Sequence, residues 1–147
     1  MICMGTIFST DDIRGRLGDG VTVEYAWNIG KAFSEWLPDQ GTIAIVRSEN
    51  ANQEIIHALI EGMLLQGRDV VDARVGGRDK VADVQYSATP LGIVLVGHDD
   101  AQDIETIALF DESGVIVPAD NGLDDIKNSA ESGNFLPAVE KGKLVTL

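Results

Sequence analysis

A chain of 147 residues, 44% hydrophobic and 24% charged, suits one globular domain with a core of its own and excludes a disordered chain. Its formal charge of −13 at pH 7 excludes a nucleic-acid binder, because the phosphates would meet a repulsive field. One cysteine and two histidines exclude a Cys/His zinc framework and an internal disulfide. No apolar run approaches the ~20 residues that cross a bilayer, and the start lacks a basic stretch followed by an apolar one. A soluble cytoplasmic protein with no membrane partner is the expectation, and Cys3 reads as strand filler.

In chain order, "MICMGTIF" predicts a short strand and "STDDIRGRLGDG" a glycine- and aspartate-rich loop. Thr22 caps a helix running to Leu37, where Tyr25, Ile29, Ala32, Phe33 and Trp36 fall at helical spacing and Pro38 ends it. "TIAIV" at 42–46 is a β-branched run, expected to be a strand buried on both faces. "SENANQ" supplies caps for a second helix, stopped by Gly67. "DVVDARV" is the third strand. Residues 76–90 are polar, with a helical turn or two around Val81, Val84 and Tyr86. "LGIVLVG" at 91–97 is the most apolar strand, and "TIALF" follows an acidic loop as an expected edge strand. A last helix over Leu123 to Glu131 precedes "GKLVTL", a tail or edge strand that could pair with a partner.

Strands alternating with helices, with apolar central strands, predict a three-layer α/β/α sandwich with a mixed, mostly parallel sheet. The domain spans 1–135, with 136–147 as the C-terminal tail or edge strand. Sites in such sheets form beyond the carboxyl ends of the strands. Three loops lie there: Asp11, Asp12 and Arg14; Arg47 to Asn50; and His98 to Glu105.

Several of these segments, taken together, resemble one family. "FSTDDIRGRLGDGVTVEYAWNIGKAF", "IAIVRSENANQEIIHALIEGMLLQGRDVVD", "LVGHDD" and "ETIALFDESG" occur in the order found in domain I of the phosphoglucomutase/phosphomannomutase (α-D-phosphohexomutase) family. The resemblance covers roughly residues 7 to 135. It implies a phosphoserine within Thr-Ala-Ser-His-Asn-Pro, a lysine in a following Asn-Gly-x-Lys, and an arginine-bearing Gly-Arg-Asp-x-Arg loop. A three-aspartate metal loop and a phosphate-binding domain belong to later parts of such enzymes.

The departures fall on those positions. Gly97 stands where the phosphoserine is expected, beside His98, Asp99 and Asp100. With one inserted residue, the lysine position falls on Ala108. Arg47 is kept, but Ser48 and Asn50 replace its companions. Only Arg14 and Arg47 remain to hold phosphate, against seven nearby carboxylates that would repel a dianion. No catalytic residue is assigned. The resemblance then implies a binding, assembly or regulatory domain, inactive by itself, or a fragment. The alternative is part of an active phosphohexomutase whose other domains lie elsewhere, with His98 or Asp99 as phosphoryl acceptor.

The acidic residues around 99–105 read first as a solvated loop. Asp99, Asp100 and Asp103 are the candidate ligands for a divalent cation, magnesium or calcium, which takes oxygen donors. "VGGRDK", the one basic patch, reads as a plain turn before a phosphate nest. His57 reads as a satisfied, semi-buried helix histidine. A phosphosugar ligand, and a homo-oligomer or packing with further domains, complete the expectations.

Overall fold

The computed structural model describes residues 12–147; the expected first strand and Cys3 lie outside them. Six strands form one sheet: β1 (Ile13–Arg16), β2 (Ile43–Arg47), β3 (Val70–Val75), β4 (Gly92–Asp99), β5 (Ile104–Phe110) and β6 (Leu144–Thr146). Their spatial order is β1-β5-β4-β2-β3-β6. The β4–β2, β2–β3 and β3–β6 pairs are parallel, and β5 runs antiparallel to both β4 and β1. Helices α1 (Val23–Trp36), α2 (Gln53–Leu65) and α4 (Asp124–Ser132) cover one face. Helix α3 (Arg78–Ala88) covers the other. The expected three-layer α/β/α arrangement with a mixed sheet is observed.

The helices begin where the sequence offers caps. Thr22 accepts a hydrogen bond from the Tyr25 amide at the start of α1, and Asn52 accepts from the Glu54 and Ile55 amides at the start of α2. Helices α1 and α2 touch through glycines. A Cβ on Gly30 would lie 2.5 Å from the Leu59 carbonyl oxygen, and one on Gly62 would strike the Trp27 carbonyl. Only residues without a side chain allow that approach.

The far end of α1 is closed differently. Arg68, 6% exposed, donates from Nε and Nη2 to the Ser34 carbonyl, from Nη2 to Leu37, and from Nη1 to Asp39 and Gly41. These are carbonyls that the helix end and its following turn leave without partners. Burial lowers the Arg68 pKa, partly offset by the Asp39 charge.

Three local expectations are corrected. The segment read as a glycine-rich loop contains β1, because Ile13 is buried and pairs with Ile107 of β5. β1 therefore covers β5, so "TIALF" is an interior strand. The polar segment after β3 is an 11-residue helix whose buried residues are Val81 and Val84, with Tyr86 in solvent. Among the described residues no helix is long and apolar enough to cross a membrane.

Candidate functional site

The site is built at the carboxyl ends of β2 and β4. β4 turns through residues 100–103 into β5, and their register sets Gly97 opposite Thr106, His98 opposite Glu105 and Asp99 opposite Ile104. β1 adds Arg14 opposite Thr106, so Arg14, Thr106 and Gly97 form one row across three strands. Successive strand residues face opposite sides of the sheet. Gly97 follows Ile93 and Leu95, which pack on the α3 side, whereas His98 shares its side with Val94 and Val96, which pack under α1 and α2. An imidazole at 98 therefore points away from the side that a side chain at 97 would occupy. A Cβ at Gly97 would sit 2.9 Å from Thr106 Oγ1 and 3.9 Å from Ser48 Oγ. Ala108, at the position resembling the family's lysine, pairs with Leu95 and is buried beneath α3.

Below His98 lies Glu105, with no exposed surface. His98 Nδ1–H donates to Glu105 Oε2 at 2.5 Å, and the Asn52 amide donates to Oε1 at 3.0 Å. Ionised, the carboxylate can only accept, which places a proton on Nδ1. His98 Nε2 then faces Asp103 Oδ1 at 3.3 Å and Asp100 Oδ1 at 3.6 Å. The hydrogen bond to Glu105 raises the His98 pKa; burial opposes this, and the charges of Glu105, Asp100 and Asp103 add to it.

The two arginines expected to attract phosphate are both engaged. Arg47 Nη1 donates to Asp72 Oδ1 at 2.9 Å, with 18% and 13% of the two side chains exposed, so its guanidinium is drawn toward β3. Arg14 grips Asp12 through Nε and Nη2 at 3.0 and 3.1 Å. That hydrogen bond raises the Arg14 pKa against some burial, helped by the charges of Asp12 and Asp99. On the β2–α2 side, Ser48 donates to Asn50 Oδ1 at 2.6 Å, and Asn50 Nδ2 donates to the His98 carbonyl and to Asp100 Oδ2.

The carboxylates expected to share a cation are divided. Asp99 Oδ1 accepts from the Ala101 and Gln102 amides in its own turn, while Asp100 and Asp103 face His98. Among the described residues no three His, Cys, Asp or Glu side chains are arranged to hold a metal ion. The three carboxylates named as candidate cation ligands are therefore not gathered around one point.

Sequence reasoning took Glu105 for a loop carboxylate. The signal that finds it is the alternation Glu105, Ile107, Leu109, which puts it on the buried face of β5. Asp72 carried no such signal, since its partner Arg47 lies one strand away.

The family model for phosphoglucomutase/phosphomannomutase, alpha/beta/alpha domain I, matches residues 5–136. The chain belongs to this family. A phosphomannomutase of Salmonella typhimurium is 28% identical over 139 residues, which are 94% of this chain and 30% of that protein. A phosphomannomutase from Klebsiella pneumoniae is 28% identical over 97% of this chain and 90% of its own recorded length. A crystal structure of a phosphoglucomutase/phosphomannomutase family protein from Burkholderia thailandensis superposes with a TM-score of 0.72 at 21% identity, covering 92% of this chain and 31% of that one. That likeness shows the fold of domain I. The chain spans about 30% of the length of the Salmonella relative.

Proposed function

We propose that this chain is a cytoplasmic phosphohexomutase-type domain I that lacks the phosphoryl-transfer step and serves as a binding, assembly or regulatory module. The observation that carries the reading is the end of β4. The position resembling the family's phosphoserine is Gly97, which offers no oxygen, and the space beside it is bordered by Thr106 Oγ1. The engaged arginines and the acidic turn support the same reading, since neither presents free positive charge to a phosphosugar. His98 does not replace the missing hydroxyl, because strand alternation sends it to the opposite face. A phosphosugar ligand, if bound, is held by contacts outside this loop.

A second reading is favoured by length alone. The phosphomannomutase of Salmonella typhimurium is more than three times as long as the matched segment, so this chain would be one part of an active intramolecular phosphotransferase whose other domains lie outside it.

The deciding experiment supplies the purified chain with glucose 1-phosphate or mannose 1-phosphate, magnesium and a hexose bisphosphate, and follows 6-phosphate through a coupled dehydrogenase. No turnover above the blank is expected, and Gly97→Ser stays inactive because Ala108 and Asn50 are unchanged. Turnover that survives purification to homogeneity overturns the first reading. Turnover of the unaltered chain only when a downstream polypeptide is added in trans establishes the second.

A further inference from the structure

We infer that the groove between the N-terminal halves of α1 and α2 docks a short basic amphipathic helix of another protein. The groove, about 770 Å³, has an apolar floor of Val23, Trp27 and Ala58 and a rim of Glu24, Glu54 and Glu61. His57 also lines it and is exposed, not semi-buried as expected. Among the described residues no lysine or arginine lines the groove. Val23 is 45% exposed at the first position of α1, and Trp27 is half-buried, so packing within the domain leaves this apolar floor open. Glutamates in a first turn complement the helix dipole, which accounts for Glu24 and Glu54 but not for the apolar residues they border.

The chain's own lysines show which charge the groove accepts. Lys31 Nζ lies 3.4 Å from the centroid of the Trp27 ring, and Lys141 Nζ donates to Glu61 at 2.8 Å. The ring and one rim carboxylate are thus each met by an ammonium. The carboxylates of Glu24 and Glu54 have no partner among the described residues. A cationic partner is complementary to them, and a second copy of this chain is not, because a two-fold axis through the groove sets both glutamates against their own copies. The walls are two helices and offer no free strand edge to an extended peptide. The partner therefore brings a helix, whose main chain is satisfied internally. Glu61 lies two helical turns after Glu54, ~10 Å along α2, which sets the length of helix that fits. Two apolar side chains four residues apart cover the floor, and lysines or arginines beside them reach Glu24 and Glu54.

The inference rests on the binding role proposed above, and the two fail separately. Turnover by the purified chain refutes that role, whereas a failed titration refutes only the groove. The test is an NMR titration of the whole chain with a synthetic peptide of about three helical turns, held helical by a side-chain staple on its outer face. The peptide carries two leucines four residues apart flanked by lysines, and a second peptide has glutamates in place of the lysines. The lysine peptide should give saturable shifts at the Trp27 indole and at the amides of Val23, Glu24, Glu54 and His57, and the glutamate peptide none. A chain of charge −13 also attracts cations diffusely, so two double variants with the same charge change are compared. Glu24→Gln with Glu54→Gln, both at exposed side chains, should weaken binding about tenfold. Asp83→Asn with Glu112→Gln, exposed on α3 and in the turn after β5, should stay within about twofold, since distant exposed charges are screened. Unchanged amide dispersion shows that each variant is folded. Equal weakening by the two double variants, shifts that spread without saturating, or equal binding of the glutamate peptide overturns the groove. A doubled mass by light scattering that Glu24→Gln with Glu54→Gln strengthens overturns it as well, by assigning the surface to a second copy.

Discussion

A carboxylate with no surface in water must be met by donors, and Glu105 is met by two: the Asn52 amide and the His98 ring. Neither donor is spare. Asn52 caps α2 with its side chain while its own amide goes to Glu105, so the start of the helix and the middle of β5 share one group. Glu105→Ala leaves that part-buried amide without an acceptor and opens a cavity, and a loss of about 2–3 kcal/mol is expected from the removal of one partner of these polar contacts. Glu105→Gln keeps one acceptor, its amide oxygen for the Asn52 amide, and turns an NH2 toward His98 Nδ1, which receives it only as the other tautomer; a smaller loss of about 1–2 kcal/mol is expected. Urea unfolding of the two variants measures this, and equal losses would show that the carboxylate is held by packing alone.

At the scale of elements, Arg68 does for α1 what a glycine cap does elsewhere. Its guanidinium satisfies four carbonyls at the end of α1 and the entry to β2. Arg68→Met fills the volume but leaves those oxygens bare, and a loss of roughly 3 kcal/mol follows from the unsatisfied groups. Thermal unfolding should show it, and a melting temperature within a degree of the parent would mean that water replaces the guanidinium. How much was legible in the sequence divides along the same line. The spacing of α1 and α2, the caps at Thr22 and Asn52, and the apolar runs of β2, β3 and β4 are local signals, and the structure bears them out. β1 was hidden because its flanking glycines and aspartates signal turns, while its reason for being a strand is Ile107, far along the chain. The site follows the same rule. Gly97 and His98 could be placed from the segment they resemble, but the pairing of Arg47 with Asp72 and the burial of Glu105 depend on neighbouring strands that no local pattern records.

The whole molecule is uneven in what it leaves uncovered. Of the ten large apolar side chains exposed among the described residues, five lie in the final segment: Leu136, Val139, Leu144, Val145 and Leu147. β6 pairs with β3 along one edge and is the last strand of the sheet on that side. Its outer edge presents unpaired main-chain groups together with apolar side chains, the combination that attracts another strand. A homodimer joined through this edge is the expected state at moderate concentration, closed by a two-fold axis that pairs β6 with its copy. Light scattering should give twice the chain mass, and Val145→Lys should return it to the monomer. A monomer mass for the parent chain across a hundredfold dilution series excludes the dimer.

The pairing of β1 with β5 has a consequence for how the protein is made. Ile13 leaves the ribosome early, yet its partner Ile107 follows most of the chain later. At a synthesis rate of about 5–20 residues per second, the first strand waits on the order of 5–20 s for its place in the sheet. β4 and β5, by contrast, meet across a four-residue turn and can pair almost as soon as both have emerged. Synthesis thus delivers β1 well ahead of its partner strand, and in the interval it is a segment that chaperones or neighbouring nascent chains can reach.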